Sequence, residues 1–272
     1  FDPGGTTGPG TMIPGQNDKV VILSGRTVTL QSDNFTQNLD ITIQNGAILD
    51  QTTYRFSNNL SALRGDGTLR LASASFPTAT INSFVTTDGG TTEYNYNGPM
   101  SSVQAVYYNL LVRSPGTVTQ VSDITLNGNL SVKQGTFQIN DATSRRLKLI
   151  IAGNITVDAG CSISIGTGGT NSQLSPLGID GNTGAFLNYY EMQSHRVQIS
   201  GDFINDGNVR FSNRTFPVYN QLASNGFATV YFTGGSDKML SCNGPTDFYN
   251  LVIDKGTDQT FKLTVFSSAY SN

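Results

Sequence analysis

Apolar and polar residues alternate along this chain in short runs, each closed by a glycine. VVILSGRTVTL (20–30), LDITIQNGAIL (39–49) and LSALRGDGTLRL (60–71) are three such runs. They set Gly25, Gly46 and Gly67 at intervals of 21 residues. A period of two is the signature of a half-buried strand, and an interrupting glycine marks a corner or a close backbone approach. Further on the signal becomes a glycine pair. NGNLSVKQGTFQI carries Gly128 and Gly135, AGNITVDAGCSISI carries Gly153 and Gly160 at an interval of 25, and SGDFINDGNVRF carries Gly201 and Gly207.

A longer period overlies the short one. RGDGTLRLASASFP (64–77) matches INDGNVRFSNRTFP (204–217), YYNLLV (107–112) matches FYNLVI (248–253), and ITIQNGAIL (41–49) matches ITVDAGCSI (155–163). The change of offset places an insertion at about 166–194, a Gly-, Asn- and Ser-rich stretch without strand periodicity.

A repeat of 21–25 residues holding two or three short strands is the size of one coil of a parallel β-solenoid. The pattern therefore predicts an all-β, right-handed parallel β-helix over 18–272, with one long inserted loop and a long-period repeat relating about 18–120 to 145–265. Ten to twelve coils stacked at roughly 4.8 Å would form a rod of roughly 50–60 Å. Ile41, Ile43 and Ile48 are expected to point inward and stack on Leu69 and Leu71. Tandem antiparallel β-sandwiches are the alternative, since turns spaced 8–12 residues apart also suit that class. Asn-Gly and Asp-Gly hairpin signals between paired strands are few, which favours the helix.

Residues 1–17 read as a Gly/Pro/Thr-rich tether, not a signal peptide. At the other end the pattern breaks off at SSAYSN, so the chain is expected to be a segment of a longer protein.

Composition narrows the chemistry. The 272 residues include 16 Lys and Arg against 19 Asp and Glu, a net charge of −3, with 30 glycines and one histidine. Nucleic-acid binding has no basic footprint to rest on, and one histidine excludes a His-rich metal centre. No run of 18 apolar residues exists to span a membrane as a helix. Cys161 and Cys242 form no CxxC motif and read as free thiols.

GDFINDGNVRF followed by VYFTGGSDKMLSCNGPTDFYNLVIDKGTDQT resembles the repeating region of large cell-surface proteins of Bacteroidota. MIPGQNDKVVILSGRTVTLQ resembles, more distantly, the start of G8-like β-helix regions. The resemblance implies a secreted or surface-anchored β-helix, exported by the type IX system, that works beside other segments of the same large protein. Its motifs are structural and imply no activity.

Candidate chemistry is sparse. His195 lacks a GxSxG nucleophile elbow and reads as the residue opening a strand. Asp180, Glu191 and Asp202 could serve glycoside cleavage only if they converge. Arg145, Arg146 and Lys148 form the one basic cluster, without the acidic trio a polysaccharide lyase needs beside its base. Arg64-Gly65-Asp66 spells an adhesion tripeptide, yet Asp66-Gly67 recurs as Asp206-Gly207 without it, which makes the pair a turn element. Asp180 and Asn182 offer oxygens that suit Ca²⁺, but not the spacing of an EF-hand loop; no other cofactor is expected. Asn109 and Asn250 read as structural amides at bends. In the insertion, Phe186, Tyr189 and Tyr190 either form an aromatic platform for a surface glycan or protein partner, or pin the loop to the rod.

The reading is a non-enzymatic structural or adhesive segment of a secreted or cell-surface protein. A carbohydrate-active β-helix enzyme and a glycan-binding module are the alternatives.

Overall fold

The computed structural model describes residues 14–143, 145–168, 194–213, 226–257 and 260–268. Regular structure among them is nearly all β. The chain begins with β1 (Lys19–Ile22), β2 (Thr27–Thr29), β3 (Asp40–Ile43), β4 (Ile48–Asp50), β5 (Leu60–Arg64), β6 (Thr68–Leu71), β7 (Ala79–Asn82), β8 (Thr91–Tyr94) and β9 (Gly98–Pro99). It continues with β10 (Val106–Tyr107), β11 (Asn109–Gln120), β12 (Ile124–Leu126), β13 (Leu130–Ile139), β14 (Lys148–Ile151), β15 (Ile155–Val157) and β16 (Ser162–Ile165). The last strands are β17 (His195–Ile199), β18 (Phe203–Asn205), β19 (Asn208–Arg210), β20 (Ala228–Phe232), β21 (Lys238–Cys242), β22 (Thr246–Asp247), β23 (Asn250–Ile253) and β24 (Leu263–Phe266).

Each strand pairs in parallel with one an interval away in sequence. Val20 faces Ile41 and Thr27 faces Ile48, both 21 residues on, while Leu130 faces Ile155, 25 on. One sheet runs β1-β3-β5-β7, a second β10-β12-β14-β17-β20-β23, and the largest follows the path β2-β4-β6-β8-β11-β13-β15-β18-β21-β24. This is consistent with a parallel β-helix or solenoid-like fold. Antiparallel sandwiches would not produce it.

Inward side chains form columns across the coils. Leu49, Leu69, Thr92, Leu110, Leu130, Ile155, Phe203 and Leu240 occupy successive register positions, and all are buried. Towards the C-terminal end the column widens into an aromatic cluster, in which the Phe203 ring lies 5.5 Å from Phe248 and 6.3 Å from Phe232. Ile41 and Ile43 point inward as expected, against Leu63 and its neighbours in the β3–β5 pair. Ile48 does not: Ala47 and Leu49 take the inward positions and leave Ile48 half-buried on the outer side. The four-residue turn Gln44–Ala47, closed by the Ala47 N–H on the Gln44 carbonyl, resets the alternation by one residue.

The corners before the largest sheet are tied by side-chain amides. Asn109 Oδ1 accepts the N–H of Asn129, Asn129 Oδ1 that of Asn154, and Asn154 Oδ1 that of Asp202, at 2.8–2.9 Å. Asp202 Oδ1 continues the series by accepting the Met239 N–H at 2.8 Å. A glycine precedes three of the members because each oxygen occupies the space of a Cβ. At Gly153 that Cβ would lie 2.5 Å from Asn129 Oδ1 and 2.6 Å from the Gly128 carbonyl.

Of the long-period matches, 64–77 with 204–217 aligns β6 and β19 of the same largest sheet, whereas the other two join segments that differ in sheet. Residues 41–49 span β3 and β4, whereas 155–163 cover β15 and the start of β16, both in the largest sheet. What recurs is a strand–turn–strand unit.

Candidate functional site

Among the described residues a groove opens across successive turns, beside and between their strands. It encloses about 660 Å³ and is lined from five successive turns, around residues 35, 55–57, 74–78, 99–103 and 121. Its origin is local. Asn34 and Phe56 form a parallel bridge, with the Asn34 N–H on the Arg55 carbonyl and the Ser57 N–H on the Asn34 carbonyl. The next two turns carry Pro77 and Pro99 in the lining. Proline has no N–H to continue a ladder. Among the described residues no backbone hydrogen bond joins 55–57 to 74–77, and the turns part there.

The floor is apolar and rigid. Phe76 and Met100 are buried, and the Phe76 ring meets Tyr107 edge-on at 5.7 Å. Tyr107 and Tyr94 share a hydroxyl hydrogen bond of 3.0 Å, and burial raises the pKa of both. Two buried polar groups hold the hydroxyl-bearing walls. Gln51 Nε2 donates to the Ser75 carbonyl at 2.6 Å, and the Ser101 N–H donates to Tyr94 Oη at 3.3 Å. At the rim Phe35 is 67% exposed and Val103 79%. Arg55 is the one charged side chain among the described lining residues, and Asp33 offsets it at 3.4 Å.

The residues singled out in the sequence lie elsewhere. Phe186, Tyr189, Tyr190, Asp180, Asn182 and Glu191 fall outside the described residues. His195 opens β17 and is fully buried. Its Nδ1 accepts the Leu147 N–H at 3.0 Å, which puts the ring proton on Nε2, and among the described residues Nε2 has no partner. Burial, then the positive charges of Arg145 and Arg146, pushes its pKa down to about 4. That is a neutral strand residue, not a general base for neutral pH. Asp202 is committed to its corner by Met239. Arg145 donates to Asn140 Oδ1 and pairs with Asp141 at 3.0 Å, whereas Lys148 stands in β14 beside Arg196.

Arg64-Gly65-Asp66 is a tight corner. Arg64 pairs with Asp40 at 3.3 Å, and Gly65, at φ +97°, sits against the backbone of Ile43. Asn109 belongs to the amide series, while Asn250 donates to Thr229 Oγ1 at 3.4 Å. Cys161 and Cys242 are free thiols, the first buried, with its pKa raised by burial and by Asp158.

Outside the groove one charged triplet stands out. Arg70 lies in register between Asp50 and Glu93, 3.4 Å from one carboxylate and 2.8 Å from the other. The Glu93 side chain is only 4% exposed. Among the described residues no three His, Cys, Asp or Glu side chains gather as around a metal ion, and no helix is long and apolar enough to cross a membrane.

None of the groove residues was marked by a functional motif. Phe76 and Pro77 did appear in the sequence, as the shared end of the 64–77 and 204–217 segments. Compared with known proteins, the chain matches no family model, no curated protein and no solved structure.

Proposed function

We propose that the chain is a right-handed parallel β-helix serving as a non-enzymatic structural and adhesive segment of a secreted or cell-surface protein. The right hand follows from the strong bias of parallel strand connections in one sheet. One observation carries the scaffold reading. Lys148 in β14 pairs in parallel with Arg196, 48 residues on, in a stack where 21 to 25 is common. The parallel register holds across this longer interval. A frame that keeps its order while loops leave it is suited to display.

Export by the type IX system and a Bacteroidota source rest on the resemblance of the repeat. Sparse charge and abundant Ser, Thr and Asn suit an extracellular surface. Antibody labelling of intact producing cells tests the location, with protease shaving as the second measure. Labelling and release from unbroken cells are expected. Labelling that requires lysis would overturn the surface reading.

A further inference from the structure

We propose that the groove between Phe35 and Val103 binds a neutral, unbranched oligosaccharide lying along the stacking axis. The inference rests on the adhesive reading and gives it a ligand class.

Direction comes first. The lining residues come from successive turns of the chain, so the groove crosses the strands instead of following them. Turns lie about 4.8 Å apart where a ladder pairs them and wider where the ladder beside Pro77 is missing. An extended glycan of several sugars can therefore cross the turns that carry Phe35, Phe56 and Phe76. A peptide adding as a strand would run at right angles to this axis and fill only one gap between turns.

Chemistry agrees with direction. A sugar ring presents an apolar C–H face and a fringe of hydroxyls. The groove answers the first with the exposed Phe35 ring and half-buried Phe56, and the second with Ser57, Ser75, Ser101 and Ser102. No hydrogen bond occupies the hydroxyls of those four serines among the described residues. Arg55 is balanced by Asp33, so the lining offers no net charge to an acidic polymer. The walls are already held by Gln51 and Tyr94, so binding need not order them.

The test is calorimetric titration of the full chain with cellotetraose, laminaritetraose, mannotetraose and xylotetraose. Tetragalacturonate and an uncharged extended hexapeptide serve as rival ligands. At least one neutral tetrasaccharide is expected to bind, and more tightly than its disaccharide. Phe35→Ala should weaken that binding at least tenfold, with Val103→Asp as a second rim variant. Both sites are solvent-exposed, so the circular dichroism spectrum should not change; Leu251→Ala, at the far end of the stack, should bind like the parent. Absence of binding by all four neutral sugars, parent-like affinity in both rim variants, or tighter binding of the acidic sugar or the peptide would each overturn the inference. A chain labelled on intact cells that binds no sugar would leave the scaffold reading standing and remove only the ligand.

Discussion

Asn129 Oδ1 accepts the Asn154 N–H at 2.8 Å and at the same time fills the space where residue 153 would carry a Cβ. The pairing of a glycine with the amide of the preceding coil explains why Gly128-Asn129, Gly153-Asn154 and Gly201-Asp202 recur as dipeptides. It also makes the two residues energetically dependent. Asn129→Ala should cost about 1–2 kcal/mol, the worth of one or two hydrogen bonds at an exposed corner. Gly153→Ala should cost about 1–3 kcal/mol through overpacking. The double variant should lose less than the sum, because removing the Asn129 side chain clears part of the space. Urea unfolding of the four proteins measures this, and strict additivity would contradict it.

The Arg70 triplet is a second dependency. Arg70→Leu leaves Glu93 buried without its cation, and a loss of about 3 kcal/mol is expected. Adding Glu93→Gln should recover part of that loss, since the uncovered charge is gone. If the double variant is less stable than Arg70→Leu alone, the explanation fails.

His195 gives the chain a specific acid sensitivity. Its folded pKa of about 4 lies below the ordinary value of 6.5, so the unfolded chain takes up the proton first as pH falls. The stabilisation is complete above pH 6.5 and is lost as pH drops towards 4. Over that window the loss amounts to about 3 kcal/mol. His195→Asn keeps an acceptor for the Leu147 N–H but does not titrate. The parent should therefore lose about 3 kcal/mol relative to His195→Asn between pH 7 and pH 4, read from denaturant midpoints at each pH.

The two thiols should react at different rates. Cys161 is buried with a raised pKa, whereas Cys242 is half-buried. Iodoacetamide at pH 8 followed by peptide mass spectrometry should find Cys242 modified first. Equal rates in the native protein would mean that the Cys161 corner opens readily.

Much of the frame was legible because period two and glycine spacing are local signals. Gly46 and Gly153 stand at corners, as their intervals imply, and Asn109 is a bend amide, as its place in the repeat implies. Ile48 was misplaced because alternation within a strand cannot count the residues used in a turn, and one residue at Gln44–Ala47 exchanged it with Leu49. Of the long-period matches, one aligns β6 with β19 in the same sheet and the others relate similar strand–turn–strand units in different sheets. The groove had no sequence signal of its own. Phe35, Arg55, Phe76 and Val103 come from four turns of unequal length, and only the missing ladder beside Pro77 brings them to one opening.

The amide series has a direction. In every member the acceptor belongs to the earlier coil and the donor to the later one, from Asn109 through Asp202. Removing any one of these side-chain oxygens therefore leaves an N–H of the following coil without its acceptor, so the defect falls on the C-terminal side of the substitution.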